Sequence, residues 1–301
     1  MKHIKKIIKT WNWSRIIKNI WYLIKYDLEE RDYQMKDEAI EDCIYEFHES
    51  ESLIPRLKIL TADETLDLLY EHPKSLSRLG DGEIKVMCGI DQPFQRFVPA
   101  LAEKMKKILV HRKDNLYVGL NNAYFSSPYP YADRNYKYYR TEGTKYRRFF
   151  ISFCDKENIY LDASCFCAYF RFKDDYNFEG HYNKVRRLFD GKKIALVSGA
   201  GIFNNIKYDI LDNVSDKICI EAPSKNAFDQ YDEIIANIER KVPKDYIVCI
   251  ILGMTATVLA ADLADKGYIA WDMGHIIKDY DAYKKGIAKT KDAATAFWAP
   301  D

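Results

Sequence analysis

Proline and glycine are scarce in this chain of 301 residues, at 9 and 13. With 48% apolar and 30% charged residues, that scarcity excludes a collagen-like or disordered protein and leaves ample chain for a buried core. No uninterrupted apolar run approaches the ~20 residues of a membrane-spanning helix. No small-residue cleavage site follows the first apolar positions, so no secretory leader is expected. A net charge of +1 gives no reason to expect a nucleic-acid partner. The seven cysteines, at 43, 88, 154, 165, 167, 219 and 249, lack the two-residue spacing of a zinc knuckle. Their odd number, and the apolar runs that hold several of them, fit a reducing cytoplasm. There is no internal repeat and no low-complexity linker.

What is present begins with a charge asymmetry. Residues 1–26 carry seven Lys or Arg and no acid, interleaved with Trp11, Trp13, Trp21 and many isoleucines. Helical spacing puts Ile4, Ile7, Ile8 and Trp11 on one face and Trp13, Ile16, Ile17, Ile20 and Ile24 on another, so the chain is expected to break near Asn12 into two amphipathic helices. Such a segment would lie on an anionic membrane or dock on the domain or on a second subunit. From residue 27 to 51 the sign reverses, with eleven acids against two basic residues. Residues 1–55 therefore read as a helical extension, basic over 1–26 and acidic over 27–51, preceding one domain at 56–301.

Within that domain a helix is expected over 61–72, opened by Thr61 or Asp63 and stopped before Pro73. It leads into Ser77-Arg78-Leu79-Gly80-Asp81-Gly82-Glu83. Gly80 and Gly82 would let the backbone turn and bring Asp81 and Glu83 toward one point, as a loop holding Mg²⁺ or Mn²⁺ does. Arg78 would pair with phosphate or with those carboxylates. An ordinary surface turn uses the same residues. A Lys-rich helix over 97–111 and strands over 115–120 and 158–163 come next, with a Tyr-rich loop over 121–146 between them that suits a sugar, a base or an aromatic lid.

From Lys192 the pattern is strand, then turn, then helix. Strands are expected at 193–198, 217–221, 246–252 and 268–272, and a helix at 255–266 capped by Gly267. The fold class that follows is α/β, with a mostly parallel, doubly wound sheet and an α-helical N-terminal extension. Ligands in such sheets bind beyond the carboxyl ends of the strands, where Ser198, Glu221, Gly253, Thr255, Asp272 and His275 fall. Gly199-Ala200-Gly201 would turn the chain into a helix whose N-terminus faces a phosphate. With Glu221, twenty residues after Gly201, it points to a dinucleotide or S-adenosylmethionine site, although Asn204 stands where a third glycine belongs. A nucleotide-sugar site accounts for the Asp81/Glu83 pair as well.

Arg78-Leu79-Gly80-Asp81-Gly82-Glu83, Val197-Ser198-Gly199, Ala222-Pro223-Ser224-Lys225-Asn226-Ala227-Phe228, Leu252-Gly253-Met254-Thr255-Ala256-Thr257 and Asp272-Met273-Gly274-His275-Ile276 resemble, in this order, the motifs of GT-D type glycosyltransferases. The resemblance spans about residues 60–285, and Met254 departs from it where a proline is expected. It implies a Rossmann-like domain that transfers a sugar, such as glucose, from a UDP-sugar with the help of Mn²⁺ or Mg²⁺ held through Asp81-Gly82-Glu83. On that reading Asp81 and Glu83 are metal ligands, His275 completes the metal sphere, bonds a phosphate or bonds a backbone carbonyl at the strand end, and Asp272 orients His275 or takes the acceptor proton. Arg78, Gly80, Gly82, Ser198, Gly199, Gly201, Asn226, Gly253 and Thr255 surround the nucleotide-sugar. Arg171 contacts phosphate or forms a structural ion pair. The acceptor would be a glycan, glycoprotein or lipid-linked sugar in surface-polymer synthesis, met by a cytoplasmic enzyme resting on the inner leaflet, with a homo-oligomer also compatible. Two alternatives stand beside it: a methyltransferase or NAD-dependent enzyme that uses Gly199, Gly201 and Glu221, and a non-catalytic membrane-associated scaffold.

Overall fold

The alternation of apolar runs with amphipathic segments resolves, in a computed structural model, into one parallel sheet with packed helices. The structure describes residues 57–110, 113–125, 130–132, 147 and 149–298, together with 13, 14, 17, 20 and 21. The acidic segment 27–51, most of the basic segment and the expected boundary at residue 55 lie outside the described residues.

In chain order the elements are β1 (Lys58–Ile59), α1 (Ala62–Glu71), β2 (Ser75–Leu79), α2 (Asp81–Met87), α3 (Pro99–Val110), β3 (Leu116–Leu120), β4 (Ile159–Asp162), α4 (Phe178–Phe189), β5 (Lys193–Gly199) and β6 (Asp216–Ala222). They continue with α5 (Tyr231–Lys241), β7 (Ile247–Ile251), α6 (Met254–Asp265), β8 (Ile269–Asp272), α7 (Ile276–Lys285) and α8 (Lys291–Trp298). The sheet order is β1-β4-β3-β2-β8-β7-β5-β6, and every pairing is parallel. The chain leaves β2 toward β3 on one side and β5 toward β6 on the other. The carboxyl ends of β2, β8 and β7 therefore border the crevice where such sheets bind ligands.

Local chemistry explains the elements. Thr61 and Glu64 form a reciprocal capping box that opens α1, with Thr61 N donating to Glu64 Oε2 at 2.8 Å. Helix α6 is buried at ten of its twelve residues and crosses β2 and β8 between α3 and α5. Helices α1 and α4 pack together, with α1 over β4.

Three expectations need correction. The chain between α1 and Gly80 is the central strand β2, not a loop. Its serines are buried and satisfied, Ser75 Oγ donating to the Tyr268 carbonyl at 3.1 Å and Ser77 Oγ to the Thr257 carbonyl at 2.7 Å. Second, Asp81 and Glu83 open helix α2 and do not sit in a turn. Third, no helix follows Gly199-Ala200-Gly201. Turns occupy 200–205, because Gly201 has φ +77° and Asn205 φ +63°, left-handed conformations that stop helix propagation.

Candidate active site

Strand β2 ends at Leu79, and extended Gly80 (φ −113°, ψ −157°) is the cap of α2. Glu83 in the first turn returns Oε2 to Gly80 N at 2.8 Å, satisfying an N–H that the helix itself leaves open. Asp81 and Glu83 also suit the positive end of the helix dipole. Residues two apart on a helix leave it in different directions, so the acids reach the site from separate points of the first helical turn and not from a glycine turn. Both nonetheless line one cleft of about 260 Å³. Gly82 is useful for its size: a Cβ there would sit 2.5 Å from Met254 Cε. The methionine that departs from the GT-D pattern thus packs against the acid-bearing turn.

The cleft lies over the carboxyl ends of the strands, as expected. Arg78, Gly80, Gly82, Arg171, Gly253, Asp272 and His275 join Asp81 and Glu83 in its lining. Burial, the Asp272 carboxylate and Asp81 push the Glu83 carboxyl up to about 7, against the pull of the Gly80 N–H. Burial and the neighbouring acids thus outweigh the positive charge near Glu83. Arg78 does not supply it freely. Its guanidinium donates to the Asp272 carbonyl, to Asp272 Oδ1 and to the Ala163 carbonyl at 2.7, 2.8 and 2.6 Å, tying β2 to the ends of β8 and β4. The same Asp272 carboxylate accepts from Gly274 N at 3.2 Å and Thr257 Oγ1 at 3.4 Å. Asp272 is placed to hold the strand ends together.

His275 lies half-buried at the start of α7, its ring 5.6 Å from Phe94, 5.6 Å from Phe297 and 5.4 Å from Trp298. Burial and the cations Lys278, Arg78 and Arg171 push its pKa down to about 3, so the imidazole is neutral at ordinary pH. Among the described residues no three His, Cys, Asp or Glu side chains come together as metal ligands.

The remaining expected residues divide into two groups. Gly199 and Gly253 line a second recess with Ser224, Ile251, His275 and Lys278; it shares Phe94, Gly253, Gly274 and His275 with the cleft and so continues it toward β5. Ser198 is buried, with Oγ donating to the Gly199 carbonyl at 3.3 Å. Thr255 is fully buried and donates from Oγ1 to Gln95 Oε1 at 3.2 Å. Asn226, at φ +50°, fastens the loop over 91–97, donating its N–H to the Phe94 carbonyl and accepting from Arg96 N with Oδ1, both at 2.8 Å. Gly201 and Asn226 line neither space. Glu221 is exposed on the edge strand β6, and without a helix after β5 the dinucleotide arrangement is absent.

Sequence reasoning missed Gln92, Phe94, Cys167 and Trp298, which all line the cleft. None belongs to a local motif. Phe94 arrives on a loop fastened to Asn226, 132 positions away (226 − 94), and Trp298 on the last described helix.

The architecture matches known proteins as closely as the motifs do. The chain superposes, with a TM-score of 0.74, 32% identity and coverage of 79% of this chain and 85% of the other, on a structure reported as "The highly conserved domain of unknown function 1792 has a distinct glycosyltransferase fold". A second structure, "A New Glycosyltransferase (DUF1792) from Streptococcus sanguinis", aligns with a TM-score of 0.73 and 25% identity over 78% of this chain and 87% of its own. In sequence the chain is 29% identical over 236 residues to "Glycosyltransferase GlyD" of Streptococcus pneumoniae serotype 4, covering 78% of this chain and 28% of that protein. To "Probable glycosyl transferase Gly" of Streptococcus gordonii it is 25% identical over 234 residues, 77% of this chain and 34% of the relative. The chain thus spans about a third or less of those two curated relatives. The family model "Glycosyltransferase GT-D fold" matches residues 76–297, from within β2 through nearly all of α8, and so takes in the recess and all of the cleft lining except Trp298. By that match and the shared architecture, this chain belongs to the GT-D glycosyltransferase family.

Proposed function

We propose that this chain transfers a sugar, a hexose such as glucose, from a UDP-sugar to a glycan, glycoprotein or lipid-linked acceptor, using a divalent cation at Asp81 and Glu83. The observation that carries this reading is the pair of carboxylates on a cleft at the crevice of a parallel sheet, with one of them, Glu83, pushed up to about 7 by burial and neighbouring negative charge. Hard oxygen donors of this kind, with the partly exposed Asp81–Lys85 pair at 3.5 Å open to exchange for a metal, fit Mg²⁺ or Mn²⁺, which need only one or two protein carboxylates when substrate phosphates complete the sphere. Asp81 and Glu83 would hold the ion, which when bound neutralises charge on the leaving diphosphate.

The chain's own residues would do the rest. Arg171 and Lys278 bring positive charge to the cleft and to the adjoining recess, in reach of an anionic leaving group. The recess lined by Gly199, Ser224 and Gly253 would take the nucleoside end, where glycine lets the backbone approach closely. Neutral His275 would donate or accept one hydrogen bond without adding charge. Asp272 would act by holding Arg78 and the strand ends in register.

Residues 1–26 would bring the enzyme to an anionic leaflet from the cytoplasmic side. Trp13, Ile17, Ile20 and Trp21, one helical stripe, are exposed. Among the described residues no helix is long and apolar enough to cross a membrane. The test of the transfer reading is UDP release from UDP-glucose by the full chain with Mn²⁺ and with EDTA. Release that EDTA abolishes supports it, and release indifferent to EDTA and to Asp81→Ala removes the metal from the reading.

A further inference from the structure

The cleft has a wall opposite in character to its acidic end. Helix α8 packs through Phe297 onto Phe170, with ring centroids 4.5 Å apart and planes at 27°, inside a small cluster with Cys167, Ala282 and Ala294. That anchor presents Trp298 to the cleft. The Arg171 guanidinium lies 4.9 Å from the centre of the Trp298 ring, and the His275 ring meets it edge-on at 5.4 Å and 85°. The Phe297 ring also meets the indole edge-on, at 4.6 Å and 86°, and the Phe94 ring lies 5.6 Å from that of His275. An indole held by a cation and by two rings has few rotamers left to lose on binding.

Such a surface suits a pyranose. One face of that ring is a patch of axial C–H groups that packs on an aromatic plane, while its equatorial hydroxyls need hydrogen-bond partners around the rim. Here the rim carries Asn121, Gln92, Arg171 and Asp272, all lining the same cleft. The nucleoside and diphosphate are already assigned to the recess and the acidic end. We infer that Trp298 is a sugar-stacking residue, with Arg171 fixing its indole, and that it sets which pyranose the enzyme accepts. This rests on the transferase reading given above. The stacked ring is either the sugar of the donor or the terminal sugar of the acceptor, since both present the same chemistry.

The test compares the full-length wild type with Trp298→Ala and Trp298→Phe, each shown to keep its melting temperature within a few degrees. UDP and UDP-glucose are titrated with Mn²⁺ by calorimetry, and glucose transfer to methyl β-glucoside and water is followed by UDP release. If the donor sugar stacks, Trp298→Ala leaves UDP affinity unchanged and weakens UDP-glucose about tenfold. If the acceptor sugar stacks, both affinities and the hydrolysis rate stay unchanged and KM for the glucoside rises by a similar factor. Trp298→Phe restores most of the loss in either case. A Trp298→Ala protein that matches wild type in every arm overturns the inference, as does one that loses UDP itself. Failure of the wild type to bind UDP or UDP-glucose defeats instead the transferase reading on which it stands.

Discussion

Arg78 Nη2 donates to Asp272 Oδ1 at 2.8 Å while Arg78 Nε donates to the Asp272 carbonyl at 2.7 Å, so one guanidinium clasps both polar ends of a single residue. The pair joins the carboxyl ends of adjacent strands β2 and β8 directly beneath Asp81 and Glu83. Both side chains are nearly buried, at 12% and 5% exposure, so neither tolerates loss of the other.

Arg78→Ala should therefore destabilise the fold by about 3–5 kcal/mol, the cost of leaving a buried carboxylate uncompensated. Arg78→Lys should recover only part, because an ammonium cannot make the same three-way fork. Urea midpoints of the three proteins check this. Equal stability of the Ala variant and wild type would mean the clasp is peripheral.

Gly274 has φ +53°, and a Cβ there would lie 2.2 Å from Arg78 Nη2. Because Arg78 is pinned by three hydrogen bonds, it has little room to yield. Gly274→Ala is expected to lower the melting temperature and reduce UDP-sugar binding together, whereas Gly267→Ala, also at positive φ but with nothing near its Cβ, should affect stability alone.

Asp162 ends β4 behind the cleft, and burial pushes its carboxyl up to about 6 although Ser164 N donates to it at 2.8 Å. A carboxyl whose folded pKa is raised favours the native state least once the unfolded chain has deprotonated. Stability should therefore fall as pH rises from about 4 to 6, by up to about 3 kcal/mol at 1.36 kcal/mol per unit. Asp162→Asn, which keeps an acceptor oxygen, should flatten that part of the profile. Melting curves from pH 4 to 8 decide it; parallel profiles would contradict it.

Thr61→Ala removes one arm of the capping box of α1, and Thr61 does not line the cleft. It should cost about 1 kcal/mol of stability and leave UDP-sugar binding untouched. Chemical denaturation and calorimetry on the same preparation separate the two.

Legibility in the sequence followed the burial of each strand. β5, β7 and β8 read directly as runs such as Ile247-Val248-Cys249-Ile250-Ile251, because a strand covered on both faces is apolar throughout. β2 is equally central yet reads Ser-Leu-Ser-Arg-Leu, and its polar residues bond to backbone carbonyls up to 194 positions away. No local pattern announces such partners. For the same reason Asp81 and Glu83 were visible as a motif while their helical setting, supplied by Gly80 and the Glu83 return bond, was not. Gly199-Ala200-Gly201 announced a helix that Asn205 prevents. Trp298 was silent because its place depends on Phe297 meeting Phe170 across the fold.

The most direct test is calorimetric titration of UDP into the full chain with Mn²⁺, with EDTA, and into Glu83→Ala with Mn²⁺. Binding that needs Mn²⁺ and disappears in the variant is the expected result, and it would place the diphosphate at the Asp81/Glu83 turn. UDP binding of equal affinity in all three would contradict a metal-held donor at this cleft.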